Sequence, residues 1–497
     1  MGCEKEIRAT SYPKVQLKSE PSAVANIGVV GVTLAITLAM SQLATIVLAK
    51  ILGPGDFGLY AICLVFINLL IFVSIFGLDS AVIHRQTDID KAIETASTLR
   101  FILSLLLAAL LFVLAPLIAE TIGSQELVTP LQVSGIAIII AAFGFETLVR
   151  LSKGLLFKSV SITRIVNIAT WSVTALVLAY LGFKFWSLLF AYIAGLVATA
   201  VALWIIRPWK IRYRVDRPIA QELVRYGTFP LGAGLLTLLV WNVDKLAVGA
   251  ILGSSAIVGS YYIAISYGTI IPSLFTGITS TVLFPTFSKI QTDLTGLREK
   301  YLKALKYLSY ISIPAGVGLA VISRTFILRI LGPDWSAAVA PLAIFSVVGI
   351  LGSLTSPASS VFLATGNQYR MFRQNLVMGV FFFVLLVPAI FYWELVGVAV
   401  LFLLAAIGSL VWVFLMAADI LQFSLADELR MLTVPVAASA IMAVVAFGVG
   451  TLMGTTLLSL GSQIVIAIPL YFACVFIMTR GEIVKEAKDL LASARRK

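Results

Sequence analysis

The sequence contains very little cysteine, histidine or charge. Its three cysteines are far apart, so neither a disulfide framework nor a cysteine-based metal site is expected. A single histidine, His84, argues against zinc chemistry, and no cofactor is expected. The chain has no Gly-Lys dipeptide and therefore no Walker A loop for binding nucleotide phosphates. These absences argue against an enzyme.

Apolar side chains are present in large excess. Of 497 residues, 60% are hydrophobic and 12% are charged, and the mean hydropathy is +1.04. A soluble protein could not bury so much apolar surface, so the composition predicts an all-α, polytopic membrane protein. The net charge of +12 is typical of basic loops beside anionic lipid, and nucleic acid is not expected as a partner.

Apolar windows of about 19 residues mark the helices that cross the bilayer. They predict fourteen spans, near 26–49, 57–83, 101–120, 129–149, 162–182, 185–206, 226–251, 256–284, 304–329, 337–363, 374–392, 395–417, 431–452 and 459–479.

Lysine and arginine predict the orientation of these spans. If the amino terminus is cytosolic, 31 of the 36 basic residues fall in cytosolic loops and tails. Basic residues near span ends resist translocation, so both termini are predicted to be cytosolic and the protein to lie in the plasma (inner) membrane. The outer loops are short and leave no room for an external catalytic domain. The segment 480–497 reads either as a helix on the membrane surface or as a frayed basic tail.

A repeat at an offset of 200 residues aligns 51–53 with 251–253, and both read Ile-Leu-Gly. A third copy lies at 330–332, again at a predicted outer end. Six spans separate the first two copies, so the two halves are predicted to have the same orientation, as in transporters built from parallel repeats. The predicted organisation is a cytosolic tail (1–25), a first six-helix lobe (26–206), a basic linker (207–225), a second six-helix lobe (226–417), two further helices (418–479) and a basic tail (480–497).

Glycine and proline mark the places where helices are expected to stop or bend. A glycine with a left-handed cap followed by proline ends a helix, and glycines around a proline predict a bent or broken seventh span. The candidate hinge residues are Gly53, Pro54, Gly227, Pro230, Gly232 and Gly234.

Two charged residues fall inside the seventh span. Asp244 and Lys245 are candidates for a binding site because a charge at the centre of a bilayer costs at least about 2.5–3.5 kcal/mol. Adjacent residues on a helix point about 100° apart, so the two are not expected to pair well with each other. At least one is predicted to face a hydrated cavity, and the alternative is a salt bridge to another helix.

A second group of charges lies near the cytosolic ends of spans 2 and 4. These side chains either extend to the membrane interface or line a vestibule open to the cytosol. In a vestibule, the basic members could contact a phosphate, which arginine can hold with two hydrogen bonds. The candidates are Asp79, Arg85, Glu146, Arg150 and Lys153.

Three segments carry a resemblance to known proteins. They are LAKILGPGDFGLYAICLVF at 48–66, LLFKSVSITRIVNIAT at 155–170 and WNVDKLAVGAILGSSAIVG at 241–259. These segments resemble the polysaccharide-repeat flippases, the Wzx-type branch of the multidrug/oligosaccharidyl-lipid/polysaccharide (MOP) exporter superfamily. The likeness extends over roughly 25–420. Asp244 and Lys245 stand where members of that family often have an acidic–basic pair, usually with arginine second.

The resemblance implies a fourteen-helix fold with two lobes around a central cavity. It also implies transport of sugars linked to a lipid phosphate or pyrophosphate from the inner to the outer leaflet. The expected partners are a lipid-linked glycan, membrane lipids, a coupling ion (H⁺ or Na⁺) and other membrane proteins of polysaccharide assembly. Two alternatives stay open: an ion-coupled multidrug exporter of the same fold, and a membrane glycan polymerase or glycosyltransferase.

Overall fold

The computed structural model describes residues 23–85, 87–154, 156–208, 214–240 and 242–482. All regular secondary structure within these ranges is helical. The prediction of an all-α polytopic membrane protein is therefore confirmed. Most of the two predicted tails, including the segment after 482, lies outside the described residues.

The first half of the chain forms eight helices. Gly77 and Gly144, both with positive φ, separate short helices from the ends of the second and fourth spans. The helices are α1 (Ala23–Ile51), α2 (Pro54–Ile75), α3 (Leu78–His84), α4 (Ile89–Ile122), α5 (Val128–Ala142), α6 (Phe145–Lys153), α7 (Phe157–Tyr180) and α8 (Phe185–Ile206).

The second half contains more interruptions. A widened helical turn, Thr279–Leu283, joins α12 to α13, and a 3₁₀ turn, Pro333–Ala338, precedes α15. The helices are α9 (Arg217–Val240), α10 (Val243–Leu252), α11 (Ser255–Gly268), α12 (Ile270–Ile278), α13 (Phe284–Ser288), α14 (Leu294–Phe326), α15 (Val339–Ala364), α16 (Gln368–Leu421), α17 (Leu425–Met453) and α18 (Leu457–Met478).

Among the described residues, eleven helical segments are long and apolar enough to cross a membrane. The predicted spans at 226–251 and 256–284 are each divided into shorter helices. Those at 374–392 and 395–417 form one run, α16, which is interrupted by non-helical backbone at Trp393 and Glu394. The count of fourteen spans therefore stays a prediction.

Helices α2 and α11 cross with their backbones in contact. A Cβ added to Gly58 would lie 1.8 Å from the carbonyl oxygen of Ser255, and one added to Gly259 would lie 1.8 Å from that of Pro54. The contact is reciprocal, because the carbonyl oxygen of the first residue of each helix lies against a glycine four positions into the other helix. It joins two segments that the sequence repeat aligns, with one residue of slip, because Gly58 and Gly259 are 201 positions apart.

The three Ile-Leu-Gly segments lie at the same end of the bundle, as predicted. The indole Nε1 of Trp335 donates to the carbonyl of Ala49 at 3.1 Å, and its ring meets Phe57 edge-on at 5.3 Å. One detail of the prediction is wrong: Gly53 has a φ of −79° and no left-handed cap, so Pro54 alone marks the start of α2. Gly253 does adopt the left-handed conformation at the end of α10.

At the opposite end, which the charge pattern predicts to be cytosolic, α9 packs on the break between α2 and α3. A Cβ added to Gly77 would lie 2.8 Å from the carbonyl oxygen of Gly227. A small hydrophobic cluster surrounds this contact and joins α3, α4, α6 and α9; its buried members include Leu78, Val82, Ile93, Phe145 and Leu223.

The seventh span is divided as predicted, but at a different place. Helix α9 runs without interruption through Gly227, Pro230, Gly232 and Gly234, and the division follows Val240. Proline is accommodated inside membrane helices because neighbouring groups satisfy the freed carbonyl. Gly227 and Gly234 instead allow close packing, against Phe76 and Phe72 respectively. Hinge motion at these residues stays a prediction.

We expect Gly58→Ala to destabilise the protein. The new methyl group would overlap the backbone of α11, and overpacking of this kind costs about 1–3 kcal/mol. The midpoint of thermal unfolding of the purified protein in detergent, followed by tryptophan fluorescence, should therefore fall.

Gly461→Ala in α18 is the matched control, because nothing lies within 4 Å of a Cβ built there. Its midpoint should stay the same or rise, since alanine favours a helix more than glycine does. Equal midpoints for the two variants would contradict the backbone contact.

Candidate substrate-binding site

Asp244 is the most deeply buried acid of the candidate site. It lies in the first turn of α10, where the helix dipole favours a negative charge, and its side chain is 0% exposed. Its Oδ2 accepts a hydrogen bond from the Tyr261 hydroxyl of α11 at 2.8 Å, and its Oδ1 accepts one from Lys245 Nζ at 3.2 Å. These three residues form the buried Asp–Lys–Tyr cluster.

The prediction that the two adjacent charges cannot pair was wrong. Their Cβ atoms diverge around the helix, but lysine has a long flexible stem, and the ammonium turns back to the neighbouring carboxylate. Because both side chains are buried, mutual neutralisation is favoured over separate exposure to lipid. An apolar aromatic neighbourhood continues from Tyr261, whose ring meets that of Phe345 with centroids 5.7 Å apart.

Arg85 links the end of α3 to α9. Its Nη1 lies 2.5 Å from Glu222 Oε2, and its Nε donates to the carbonyl of Thr87 at 2.8 Å. The arginine side chain is 13% exposed, whereas the glutamate is 64% exposed. Beside this pair, the ring of His84 stacks on that of Tyr226 with centroids 5.3 Å apart.

Arg150 is held in the same way by two acids. Its Nη1 lies 2.5 Å from Asp90 Oδ1 of α4, and its Nη2 lies 3.1 Å from Glu146 Oε1 one turn earlier on α6. The predicted i,i+4 pair is present, and the contact with Asp90 is an addition. Arg150 is 17% exposed and Asp90 is 79% exposed.

Lys153 joins these groups through backbone carbonyls. Its Nζ donates to Val82 at 3.2 Å and to Arg85. Partial burial lowers the pKa of this ammonium below its ordinary value. Lys153 therefore fastens α6 to the end of α3 and brings the backbone of Arg85 close to the helix that carries Arg150.

One buried cation was missed by sequence reasoning. The predicted span at 101–120 leaves Arg100 just outside it, but α4 begins at Ile89, more than two turns earlier. The buried guanidinium donates to the carbonyl of Ala141 at 2.7 Å, lies 4.9 Å from the Phe145 ring centre and interacts electrostatically with Asp79. Asp79 also accepts a hydrogen bond from the backbone N–H of Ser80 at 2.7 Å.

The candidate residues thus form two groups. Asp79, Arg85, Glu146, Arg150 and Lys153 come together at the predicted cytosolic end, while Asp244 and Lys245 lie elsewhere. Glu222 lies in the first part of α9 and Asp244 lies in α10, 22 residues further along the chain. No cluster of three or more metal-ligating side chains occurs in the described part of the chain.

A family model described as "Polysaccharide biosynthesis protein" matches residues 47–340, which is more than half of the chain. The chain belongs to this polysaccharide biosynthesis protein family. Family membership and the fold, both predicted from the sequence, are therefore confirmed.

Two relatives and a solved structure show the extent of the similarity. The lipopolysaccharide biosynthesis protein WzxC of Escherichia coli (strain K12) is 26% identical over 377 residues, covering 74% of this chain and 73% of WzxC. The teichuronic acid biosynthesis protein TuaB of Bacillus subtilis (strain 168) is 27% identical over 378 residues, covering 75% and 77%. The lipid II flippase MurJ, in an inward closed conformation, has the same fold with a TM-score of 0.72 at 17% identity, covering 91% of this chain and all of MurJ.

The buried Asp–Lys–Tyr cluster predicts strong energetic coupling. Lys245→Met should destabilise the protein because it leaves a buried carboxylate without its cation, whereas Asp244→Asn together with Lys245→Met should recover much of the loss. A coupling energy of about 1–3 kcal/mol is expected from the thermal unfolding of the two single variants and the double variant. Additive effects would mean that the two charges do not depend on each other.

Proposed function

We propose that the protein is a flippase that carries a lipid-linked oligosaccharide from the inner to the outer leaflet of the plasma membrane. The names of the relatives refer to lipopolysaccharide and teichuronic acid biosynthesis, and that of the structural neighbour to lipid II flipping. These names support a transporter, not an enzyme, with a phosphate-linked glycan as substrate. Membrane lipids surround the outward-facing apolar side chains.

One observation carries the proposal. Arg85 and Arg150 are nearly buried, yet their partners Glu222 and Asp90 are mostly exposed to the surroundings. An exposed carboxylate is well solvated when released, whereas a nearly buried arginine needs another anion in its place. The arginines can therefore exchange these carboxylates for another anion at low cost.

The phosphate or pyrophosphate of the substrate is the anion that we assign to this exchange. Arginine binds phosphate through two parallel hydrogen bonds, which are stronger than those to neutral groups. Lys153 keeps the ends of α3 and α6 together, so Arg85 and Arg150 are positioned to act on one head group. Glu146 orients Arg150 from its own helix.

The exchange also opens the cytosolic side. Glu222 belongs to α9, so a phosphate that takes its place on Arg85 removes a contact between α9 and α3. The close approach of Gly77 and Gly227, the His84–Tyr226 stack and the small hydrophobic cluster remain there, while the opposite end is closed by α2 on α11. Opening one of these ends at a time moves the substrate by alternating access of two lobes, as expected for parallel repeats.

The buried Asp–Lys–Tyr cluster lies on the outward part of this path. It presents a carboxylate, an ammonium and a hydroxyl, which are groups that exchange hydrogen bonds with sugar hydroxyls. Its charges cancel, so it neither traps the anionic head nor attracts a cationic drug. The glycan would contact this cluster when α2 and α11 separate.

Flux in proteoliposomes tests the function. The purified protein should move a short-chain lipid-linked oligosaccharide to the opposite leaflet, measured by its capture with a lectin outside the vesicle. A drug exporter of the same fold would instead extrude a cationic dye and leave the glycan in place. Dye extrusion without glycan movement would contradict our proposal.

If the substrate phosphate replaces Glu222 on Arg85, substitutions of these two residues should have opposite effects on transport. Arg85→Gln should lower glycan flux at least about tenfold, because a hydrogen bond to a charged group contributes about 1.5–3 kcal/mol. Glu222→Gln should lower the substrate concentration at half-maximal flux, because a competitor for Arg85 is removed. Lys91→Gln is the control, since Lys91 pairs with Asp88 at 3.5 Å on the exposed surface nearby. Equal losses in Arg85→Gln and Glu222→Gln would indicate a purely structural bridge.

A further inference from the structure

The two halves of α16 are held together by side chains at their predicted cytosolic ends. Arg370 Nη1 lies 2.6 Å from Asp419 Oδ2, and Gln374 Nε2 donates to the Ser409 hydroxyl at 2.8 Å. The earlier residue of the first half pairs with the later residue of the second half, so the two halves run antiparallel. These pairs fix the positions of the side chains between them.

Arg373 lies between these two pairs and is exposed. Its guanidinium carbon lies 5.7 Å from the ring centre of Trp412 on the other half of α16. No ion pair to this arginine occurs in the part of the chain that the structure describes. An aromatic face attracts the cation without accepting the N–H groups that point outward in the guanidinium plane. Arg373 is therefore held in place while its donors can reach an external acceptor.

The charge of Arg373 is not compensated on its own helix. The charged residues of α16 are Arg370, Arg373, Glu394 and Asp419. Asp419 already pairs with Arg370, and Glu394 lies at the interruption, which is the opposite end of both halves. The predicted cytosolic end of α16 thus carries one more cation than acid, which attracts an anion.

Exposed apolar side chains continue from Arg373 toward the middle of the membrane. Leu376, Val377 and Val380 follow it by three, four and seven residues, so they lie on the same helix face, and all three are exposed. The predicted span at 374–392 begins directly after Arg373. This depth brings the guanidinium to the lipid head groups and the apolar side chains to the acyl chains.

We propose that Arg373 and Trp412 form a binding site for one anionic phospholipid of the cytosolic leaflet. The lipid phosphate accepts two parallel hydrogen bonds from the guanidinium, while an acyl chain lies along Leu376, Val377 and Val380. Basic sites beside membrane helices on the cytosolic side recognise anionic head groups in this way. A zwitterionic phospholipid binds more weakly, because its own cation is repelled by the excess positive charge of the site.

The lipid site is separate from the proposed substrate site. Arg85 and Arg150 lie at α3 and α6 of the first lobe, and each has a carboxylate partner. Arg373 lies at the start of α16 in the second lobe and contacts an aromatic ring instead. The inference therefore does not depend on the proposed flippase function.

Titration of the purified full-length protein in a nonionic detergent tests the site. The probes are dioctanoyl phosphatidylglycerol, which is anionic, and dioctanoyl phosphatidylcholine, which is zwitterionic. The midpoint of thermal unfolding should rise with the anionic lipid and change less with the zwitterionic one, because a ligand of the folded state stabilises it. The dissociation constant obtained from this rise should increase at least about tenfold in Arg373→Gln. Trp412→Phe should increase it less, because phenylalanine attracts a cation more weakly than tryptophan does.

Arg430→Gln is the matched control. Arg430 is also an exposed arginine near the predicted cytosolic end, on α17, and no aromatic ring lies against its guanidinium in the described structure. This variant should keep the wild-type dissociation constant. Equal losses in Arg373→Gln and Arg430→Gln would indicate general attraction to a basic surface and would overturn the site. Equal binding of the two phospholipids, or no rise with either, would also overturn it, and glycan flux would still test the flippase function independently.

Discussion

Every charge that this bundle buries must be neutralised within the protein, because the membrane offers no water to do it. The ammonium of Lys245 turns back on the carboxylate of the residue before it, and Tyr261 satisfies the other oxygen. Arg100 uses a carbonyl and an aromatic face instead. Such solutions fix side chains in place, so the few groups whose partners are exposed or missing are the ones that can change during transport.

The two ends of the bundle meet that constraint in different ways. At the predicted outer end, glycines bring the backbones of α2 and α11 together without a charged group. At the predicted cytosolic end, a glycine contact is supplemented by ion pairs whose acids face outward. The glycine contact between α2 and α11 contains no charged side chain, so the two helices can separate without another ion. An ion pair such as Arg85–Glu222 separates most readily when another anion takes the place of the carboxylate. In our proposal, an anionic head group therefore opens the predicted cytosolic end.

Sequence reasoning located the apolar parts of the fold and the buried charges within them, since hydropathy directly measures preference for lipid. It failed where helices extend beyond their apolar windows. The predicted spans that begin at 101 and 431 leave Arg100 and Glu428 outside, although α4 and α17 begin before these residues. It also failed where the partner is remote in sequence, as for Glu222 and Arg85, because no local pattern encodes a contact between distant helices. The break in the seventh span follows Val240, ten residues after Pro230, so the proline does not indicate its position.

The proposed anion exchange has an electrical direction. A membrane potential that is negative inside favours outward movement of a phosphate-linked glycan by about 2.3 kcal/mol per charge per 100 mV. In our proposal the head group meets Arg85 beside α9, whereas the opposite end is closed where α2 packs on α11. Helix α2 lies between these two places, because it begins at the contact with α11 and ends at the break against which α9 packs. A change at one end can therefore reach the other through α2.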